Sequence, residues 1–262
     1  MPKVCQLFSG SSGNSIFVSD GRTKLLVDAG VSAKRIEQAL SDIGESADEL
    51  SAVLITHEHS DHIKGLRVLA SKHKIPVFAH GRVLASLKQS GDVTDSMQAF
   101  ETGDNAEFGG VEIVPFENSH DSVACLGYRL NMCGDRSISV CTDTGYITDD
   151  AKEKIAGSDL VFLESNHEIT MLQNGPYPYN LKLRILSERG HLSNAACSEF
   201  AAELMKSGTT RIVLSHLSRD NNHPEIARQT TLAALTGAGF VEEHDFRLRV
   251  SAPENDGRAI IL

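Results

Sequence analysis

The segment THEHSDH, residues 56–62, places His57, His59, Asp61 and His62 directly after the apolar run AVLI. Imidazoles and carboxylates in this mixture are the donor set of a divalent cation, and hydrolysis is the chemistry such an ion serves. In an extended loop, residues 57 and 59 point the same way. Asp61 and His62 diverge around the first turn of a helix that the pattern IKGLRVLASKH predicts. The two pairs face two neighbouring points, which suits two metals better than one. The competing reading is a polar loop with fortuitous histidines.

Further donors follow other apolar runs. LLV leads to Asp28, VEIVPFENS to His120, SVCT to Asp143, VFL to Glu164 and IVLS to His216. Open α/β sheets place their ligands at the carboxyl ends of strands, so these endings predict loops that converge on one polar site. Asp143, in CTDTG, follows a strand and precedes a glycine turn, and it is the best bridging carboxylate. His120 and His216 could complete one ion apiece. Asp28, in LLVDAG, is read as holding a histidine ring through a hydrogen bond rather than as a ligand.

The elements that must position these residues are short strands alternating with helices. Residues 24–27, 52–55, 111–114, 137–141, 159–163 and 211–214 read as buried strands. Ser32 is expected to cap a helix that carries Ala33, Ile36, Leu40 and Ile43 and stops at Gly44. Ser193 caps a second, with Cys197, Phe200, Ala201 and Leu204 on one face, ending near Gly208. Pro224 opens a third, ending near Gly237, with His223 at its start. This alternation predicts an α/β layered fold. No repeat, low-complexity tract or linker divides the 262 residues, so one domain over 1–262 is expected.

Composition narrows the function classes. Lys+Arg 25 against Asp+Glu 35 gives a net charge of −10, which excludes a general polyanion binder driven by its overall field. The N-terminus MPKVCQLF lacks a signal-peptide core, and no stretch approaches the ~20 apolar residues of a membrane span. Five widely spaced cysteines without a C-x-x-C pair read as reduced thiols. A cytoplasmic protein without membrane association is expected.

Other polar residues keep two readings each. SGSSGNS, residues 9–15, offers amides and hydroxyls of Ser12 and Asn14 as a phosphate nest, or is a hairpin turn between VCQLF and SIFV. Lys182, Arg184 and Arg189 form either a phosphate-backbone track or the solvated face of a helix. His191, in RGHLSN, contacts a phosphate near a helix start or belongs to a capping loop. His73, His80 and His244 read as surface or core residues, and His167, in ESNHE, is undecided.

T-H-E-H-S-D-H with the spaced His120, Asp143 and His216 resembles the metallo-β-lactamase superfamily. The resemblance implies a four-layered αβ/βα sandwich of two similar halves. It implies His57, His59 and His120 on one ion, Asp61, His62 and His216 on the other, and Asp143 bridging. The ions would be zinc or manganese, with iron also compatible. The superfamily spans lactamases, thioesterases, lactonases and nucleases, so substrate class rests on other motifs. Glu164 in FLES, GHLSNAACSEFAAEL and RIVLSHLSRDN resemble the tRNA 3′-processing endonucleases. That likeness places His191 near the scissile phosphate with Glu164 as its orienting partner.

The whole string, including SGSSGNS, ESNHE, the PYP segment and LSHLSRDNN, is closer to the YycJ/WalJ-type group. This resemblance implies a nuclease, foremost a 5′-to-3′ DNA exonuclease, with DNA favoured over RNA. Asp61 would orient the nucleophile, and His191 would stabilise the phosphate or protonate the leaving oxygen. Two divalent ions outweigh Asp61 and Asp143, which would make the pocket locally cationic in an acidic protein. The alternative is a small-molecule hydrolase, a cyclic phosphodiesterase, thioesterase or lactonase, using the same metals. A non-catalytic binding protein is disfavoured by the complete ligand set.

Overall fold

A computed structural model of the chain describes residues 1–103, 106–255 and 257–262. The first half contributes strands β1 (Lys3–Phe8), β2 (Ser15–Ser19), β3 (Lys24–Val27), β4 (Ala52–Leu54), β5 (Val77–Ala79) and β6 (Ala99–Glu101). The second contributes β7 (Ala106–Phe108), β8 (Val111–Glu117), β9 (Leu126–Met132), β10 (Arg136–Cys141), β11 (Leu160–Glu164), β12 (Arg211–Ser215) and β13 (Arg247–Val250). The last strand, β14 (Ile260–Ile261), returns to the first sheet and pairs with β1.

Two sheets result, ordered β14-β1-β2-β3-β4-β5-β6 and β13-β12-β11-β10-β9-β8-β7. Pairing orientations follow the same sequence in both. From β14 to β3 and from β7 to β10 neighbours are antiparallel; from β3 to β6 and from β10 to β13 they are parallel. Parallel strands need crossover helices. In the first half these are α1 (Ala33–Asp42), α2 (Ser60–Ile63), α3 (Leu66–His73) and α4 (Gly81–Ser90). The second half has α5 (Asp149–Ile155), α6 (Ile169–Asn174), α7 (Tyr179–Leu186), α8 (Asn194–Lys206) and α9 (Pro224–Gly237).

Three apolar clusters stack these into four layers. Leu26, Val53 and Val77 pack outward against Ile36, Leu40 and Leu69 of α1 and α3. Val18, Leu25 and Leu54 meet Tyr128, Leu130, Val140 and Phe162 between the sheets. Val161, Ile212 and Leu214 pack against Ile155, Phe200, Leu204 and Leu235 of α5, α8 and α9. The expected αβ/βα sandwich is the observed fold. KLLV, AVL, LVFLE and RIVLS are continuous apolar runs because helices and the opposite sheet cover both faces.

Two local expectations need correction. The helix foreseen from Asp61 onward is two helices, α2 and α3, separated at Gly65. A Cβ there would stand 2.2 Å from the carbonyl oxygen of Val31, so the chain is pressed against the loop after β3. Gly65 N donates to Ala29 O at 2.8 Å, which turns the chain between the helices. Ser32 occupies the N-cap of α1 without a side-chain capping bond. Ser193 Oγ does cap α8, accepting from Ala196 N, and the His223 side chain caps α9.

Tyr128 crosses between the sheets. Its ring is fully buried, and its hydroxyl donates to Ile55 O at 2.7 Å, one residue before the histidine motif begins. Tyr128→Phe leaves that carbonyl without its donor. The expected loss is about 1–2 kcal/mol of unfolding free energy, measured by urea titration, with an unchanged slope.

His73, at the end of α3, joins α3 to α1 through Glu37 Oε1 at 3.0 Å and to the turn Ala47–Glu49 through Asp48 Oδ1 at 2.5 Å. Burial lowers the His73 pKa, but Glu37 and Asp48 outweigh it and the net shift is upward. A folded-state pKa above the unfolded one stabilises fully below the unfolded value and fades as pH rises through the folded value. The stability difference between wild type and His73→Gln is therefore expected to be larger at pH 5.5 than at pH 8.5, read from urea midpoints. No helix among the described residues is long and apolar enough to cross a membrane. None of the five cysteines is joined in a disulfide among the described residues.

Candidate metal centre

Strand ends deliver the site. Asp28 follows β3, Asp143 follows β10 by two residues, and His216 follows β12 directly. These three adopt φ of 63°, 62° and 57°, the left-handed region that non-glycine residues seldom occupy. Each chain reversal aims a donor back over the sheet edge, and local strain of this kind gathers at functional sites. The motif after β4 enters the same space: His57 on the loop, His59 at the N-cap of α2, Asp61 and His62 inside it. His120 lies between β8 and β9.

Four overlapping groups of donor atoms form, each with all its atoms within 4.8 Å of one another. They are His57, His59 and His120; Asp61, His62 and His216; His57, His62 and Asp143; and Asp143, Glu164, His191 and His216. Asp143 lies between the first two triads. Its Oδ2 is 3.3 Å from His62 Nε2, and its Oδ1 is 3.5 Å from His216 Nδ1. Asp61 Oδ2 lies 3.7 Å from both His62 Nε2 and His216 Nε2.

The ring nitrogens that face away from this centre are held by the protein. His62 Nδ1 meets Asp28 Oδ2 at 2.7 Å. His57 Nδ1 meets Thr56 Oγ1 at 3.0 Å, and Thr56 N and Oγ1 both donate to Asp28. His120 Nδ1 donates to Gly190 O at 3.0 Å. Glu164 Oε1 receives both His191 Nδ1 at 2.7 Å and His216 Nδ1 at 2.9 Å. Glu164 Oε2 accepts from Thr144 N and Leu192 N, so one carboxylate ties the Asp143 loop to the His191 loop.

What remains is a set of inward-facing atoms without partners. His57 Nε2, Asp143 Oδ2 and His216 Nε2 are buried and make no hydrogen bond among the described residues. Buried polar atoms are rarely left in that state. Donor atoms around one tetrahedral ion at bonds of about 2.0–2.2 Å lie roughly 3–4 Å apart. Asp61 stands 3.7 Å from His62 and from His216, and the atoms of each triad fall within 4.8 Å of one another. The residues present therefore fit two divalent cations.

The electrostatics differ between the two triads: His57 and His120 are lowered, whereas His62 and His216 are raised by the carboxylates around them. Burial holds the His57 imidazole well below its usual pKa, reinforced by the rings of His62 and His120, and the neutral ring is the form a ligand needs. Burial lowers His120 as well. For His62, burial is outweighed by Asp143, Asp28 and Asp61, which raise it to about 9. Burial alone would raise Asp61 and Glu164, but adjacent histidines hold both well below the carboxylate range. Asp61 and Glu164 thus place negative charge where a cation would sit, and the carboxyl groups of Asp28 and Asp143 border the same histidines.

The remaining sequence candidates are placed differently from a phosphate track. Lys182 Nζ donates to Gln173 O at 2.8 Å. Arg184 pairs with Asp121 through both its Nε and Nη2. Arg189 donates to His120 O at 3.1 and 3.2 Å and to Ser122 O at 3.3 Å, so it fixes the His120 backbone. SGSSGNS is the β1–β2 connection. Gly10 N is taken by Asn14 Oδ1, Gly13 N by Gly10 O and Asn14 N by Asp61 O, so those amides cradle no phosphate. The loop instead packs on the centre: Asn14 Nδ2 lies 3.1 Å from His62 Nε2, and Ser9 Oγ accepts from His216 N. Ser12 Oγ accepts from Arg219 Nη2 at 2.9 Å.

Sequence reading missed Thr56, Ser9, Asn166 (whose Nδ2 donates to His216 O at 2.9 Å) and the second partner of Glu164. Thr56 stood inside the motif and could have been found. Ser9 is 207 positions from His216 and carried no signal. His167 is buried, and neither of its ring nitrogens has a hydrogen-bond partner among the described residues.

A family model described as the beta-lactamase superfamily domain matches residues 23–217. The chain belongs to the metallo-β-lactamase superfamily. Within this superfamily it is 40% identical over 256 residues to Exodeoxyribonuclease WalJ of Streptococcus pneumoniae serotype 2, covering 96% of this chain and 95% of WalJ. It is 38% identical over 250 residues to Exodeoxyribonuclease YycJ of Bacillus anthracis, covering 95% and 94%. The crystal structure of the metallo-β-lactamase fold protein YhfI from Bacillus subtilis superposes with a TM-score of 0.74 at 17% identity, covering 100% of both chains. The superfamily's four-layer fold is thus shared with a chain of low identity, whereas the WalJ and YycJ likeness is one of nearly the whole sequence.

Proposed function

We propose that this chain is a dinuclear-metal-dependent DNA exonuclease that degrades from the 5′ end, with DNA favoured over RNA, acting in the cytoplasm. The observation that carries the chemistry is the pair of donor triads around Asp143 with three orphaned inward atoms. The substrate class is supported by near-full-length likeness to two exodeoxyribonucleases. His57, His59 and His120 would hold one ion and Asp61, His62 and His216 the other, with Asp143 between them. Zinc or manganese suits this mixed donor set. Bound there, the ions would supply Lewis-acid polarisation of the phosphodiester and a more acidic water.

The chain's own groups orient and transfer protons. Asp61 is partly exposed and lies 3.7 Å from both His62 and His216, where its carboxylate can align a water for attack on phosphorus. Glu164 fixes His191 at Nδ1, which leaves Nε2 as the free nitrogen of a ring 19% exposed. That nitrogen can donate to a non-bridging oxygen or protonate the leaving oxygen. His191 stands between the ligand rings, 5.0 Å from His120 and 5.3 Å from His216, centroid to centroid.

The test is incubation of purified protein, with Mn²⁺ or Zn²⁺ separately, with 5′- and 3′-labelled single- and double-stranded DNA and RNA. Stepwise release from the 5′ end of DNA is expected. His191→Ala should lower that rate roughly 10²–10⁴-fold with metal content intact. Hydrolysis of simple esters without any nucleic-acid cleavage, at either metal, would overturn the reading.

A further inference from the structure

A cleft of about 610 Å³ opens beside His120 and runs from the metal centre to the start of α4. Its lining is unusual for an acidic protein. Arg82 and Arg189 face it with Glu117 as the sole carboxylate among its lining residues. Two apolar side chains are also left in solvent there: Tyr146 at 48% exposure and Val123 at 42%. The Tyr146 ring makes no hydrogen bond among the described residues, and the Arg82 guanidinium has no partner among them.

Tyr146 is held by its backbone, not its ring. It follows Asp143 by three residues. Thr144 N donates to Glu164 Oε2 at 2.8 Å, and Thr144 Oγ1 donates to Tyr146 O at 2.6 Å. Gly145 N donates to Ser119 O at 2.8 Å, and a Cβ on Gly145 would stand 2.2 Å from Glu188 O. A rigid loop shared with Asp143 thus presents an unpartnered aromatic face beside the reactive centre. An exposed aromatic next to a cationic groove is a stacking platform for bases, whose π-faces are available only when unpaired.

We propose that this cleft holds an unpaired nucleobase stacked on Tyr146, with Arg82 taking a phosphate further along the strand. The inference rests on the nuclease reading and deepens it: the strand end enters the site with a base unpaired, whether from a single strand or a frayed duplex end. Val123 flanks the base on its apolar side. Arg189, already bonded to the His120 and Ser122 carbonyls, adds charge to the wall without reorienting.

The test uses the metal-loaded protein and a single-stranded oligodeoxynucleotide with 2-aminopurine at its end and phosphorothioate terminal linkages that resist hydrolysis. The chain has no Trp, so an aromatic quench of 2-aminopurine reports on Tyr or Phe. Wild type and Tyr146→Phe should quench the base. Tyr146→Ala should lose the quench and bind roughly 5- to 100-fold more weakly. On hydrolysable DNA, Tyr146→Ala should raise KM by a similar factor with kcat within about threefold. Arg82→Ala should reduce the slope of log affinity against log salt by about one.

Wild-type cleavage with quench and affinity unaltered in Tyr146→Ala overturns the cleft assignment and leaves the nuclease reading standing. Tyr146-dependent binding by a protein that cuts no DNA leaves the cleft standing and sinks the nuclease reading. Absence of both binding and cleavage sinks both.

Discussion

Asp143→Asn is expected to remove one or both bound ions and to lower activity by at least about a hundredfold. The substitution is chosen for its backbone. Asp143 sits at φ 62°, where Asn is tolerated nearly as well as Asp and Ala is not, so the variant tests the carboxylate and not the turn. Asp143 is buried, its Oδ2 lacks a partner, and it is the one donor whose atoms group with His57 and His62 on one side and His216 on the other. An amide keeps one oxygen but loses the charge that offsets two cations. Elemental analysis should fall from two ions per chain to one or fewer, with an unchanged far-ultraviolet circular dichroism spectrum. Full stoichiometry in the folded variant would mean that Asp143 does not join the two triads. His57→Ala should lose one ion only, because of the two triads proposed to hold ions it belongs to the one with His59 and His120 alone, and the contrast between the two variants reads out the bridging geometry.

Much of this centre was legible because its signals are local. THEHSDH compresses four donors into one turn and a loop, and the other donors each sit at the end of an apolar run that could only be a strand. Six such runs became strands at nearly the expected bounds because burial on two faces leaves a continuous apolar signature. The helix after Asp61 was misread as continuous because a close approach of Val31 O to Gly65 is a tertiary fact, invisible in periodicity. The same limit applies to Lys182, Arg184 and Arg189. A sequence shows that they are basic, but it does not show that Gln173 O, Asp121 and the His120 carbonyl occupy them. Ser9 and Asn14 lie in a segment that reads either as a phosphate nest or as a hairpin turn, and it is the turn between antiparallel β1 and β2: its amides are spent on internal turns and on Asp61 O, while the side chains reach His216 N and His62. Packing between distant segments decides which polar atoms are free, and no spacing rule carries that information.

Glu164→Gln should be the most damaging substitution outside the donor triads. The carboxylate is fully buried and accepts four hydrogen bonds, from His191 Nδ1, His216 Nδ1, Thr144 N and Leu192 N. All four partners are donors. A glutamine of the same shape must turn its NH₂ toward one pair of them, which replaces two attractive contacts with two repulsive ones. If the amide nitrogen faces the imidazoles, each ring must present a bare Nδ1 to accept, and the tautomer is reversed. His216 Nε2 then carries the proton and cannot bind a cation, and His191 Nε2 is fixed as a neutral N–H that no longer gains and gives up a proton at that atom. If it faces the backbone, Thr144 and Leu192 lose their acceptor and the Asp143 loop is released. Either outcome costs on the order of 3–5 kcal/mol of stability, as expected when one partner of a buried charged network is removed. Either should also weaken the ion held by Asp61, His62 and His216 by about 10–100-fold. Chelator competition should show the ion of Asp61, His62 and His216 weakened more than the other, because His57, His59 and His120 make no hydrogen bond to Glu164 among the described residues. A role confined to packing would instead lower the melting temperature and leave both affinities and the pH–rate profile as they are. Glu164 would then be only a buried brace and would take no part in setting the tautomers on which the two flanking histidines depend.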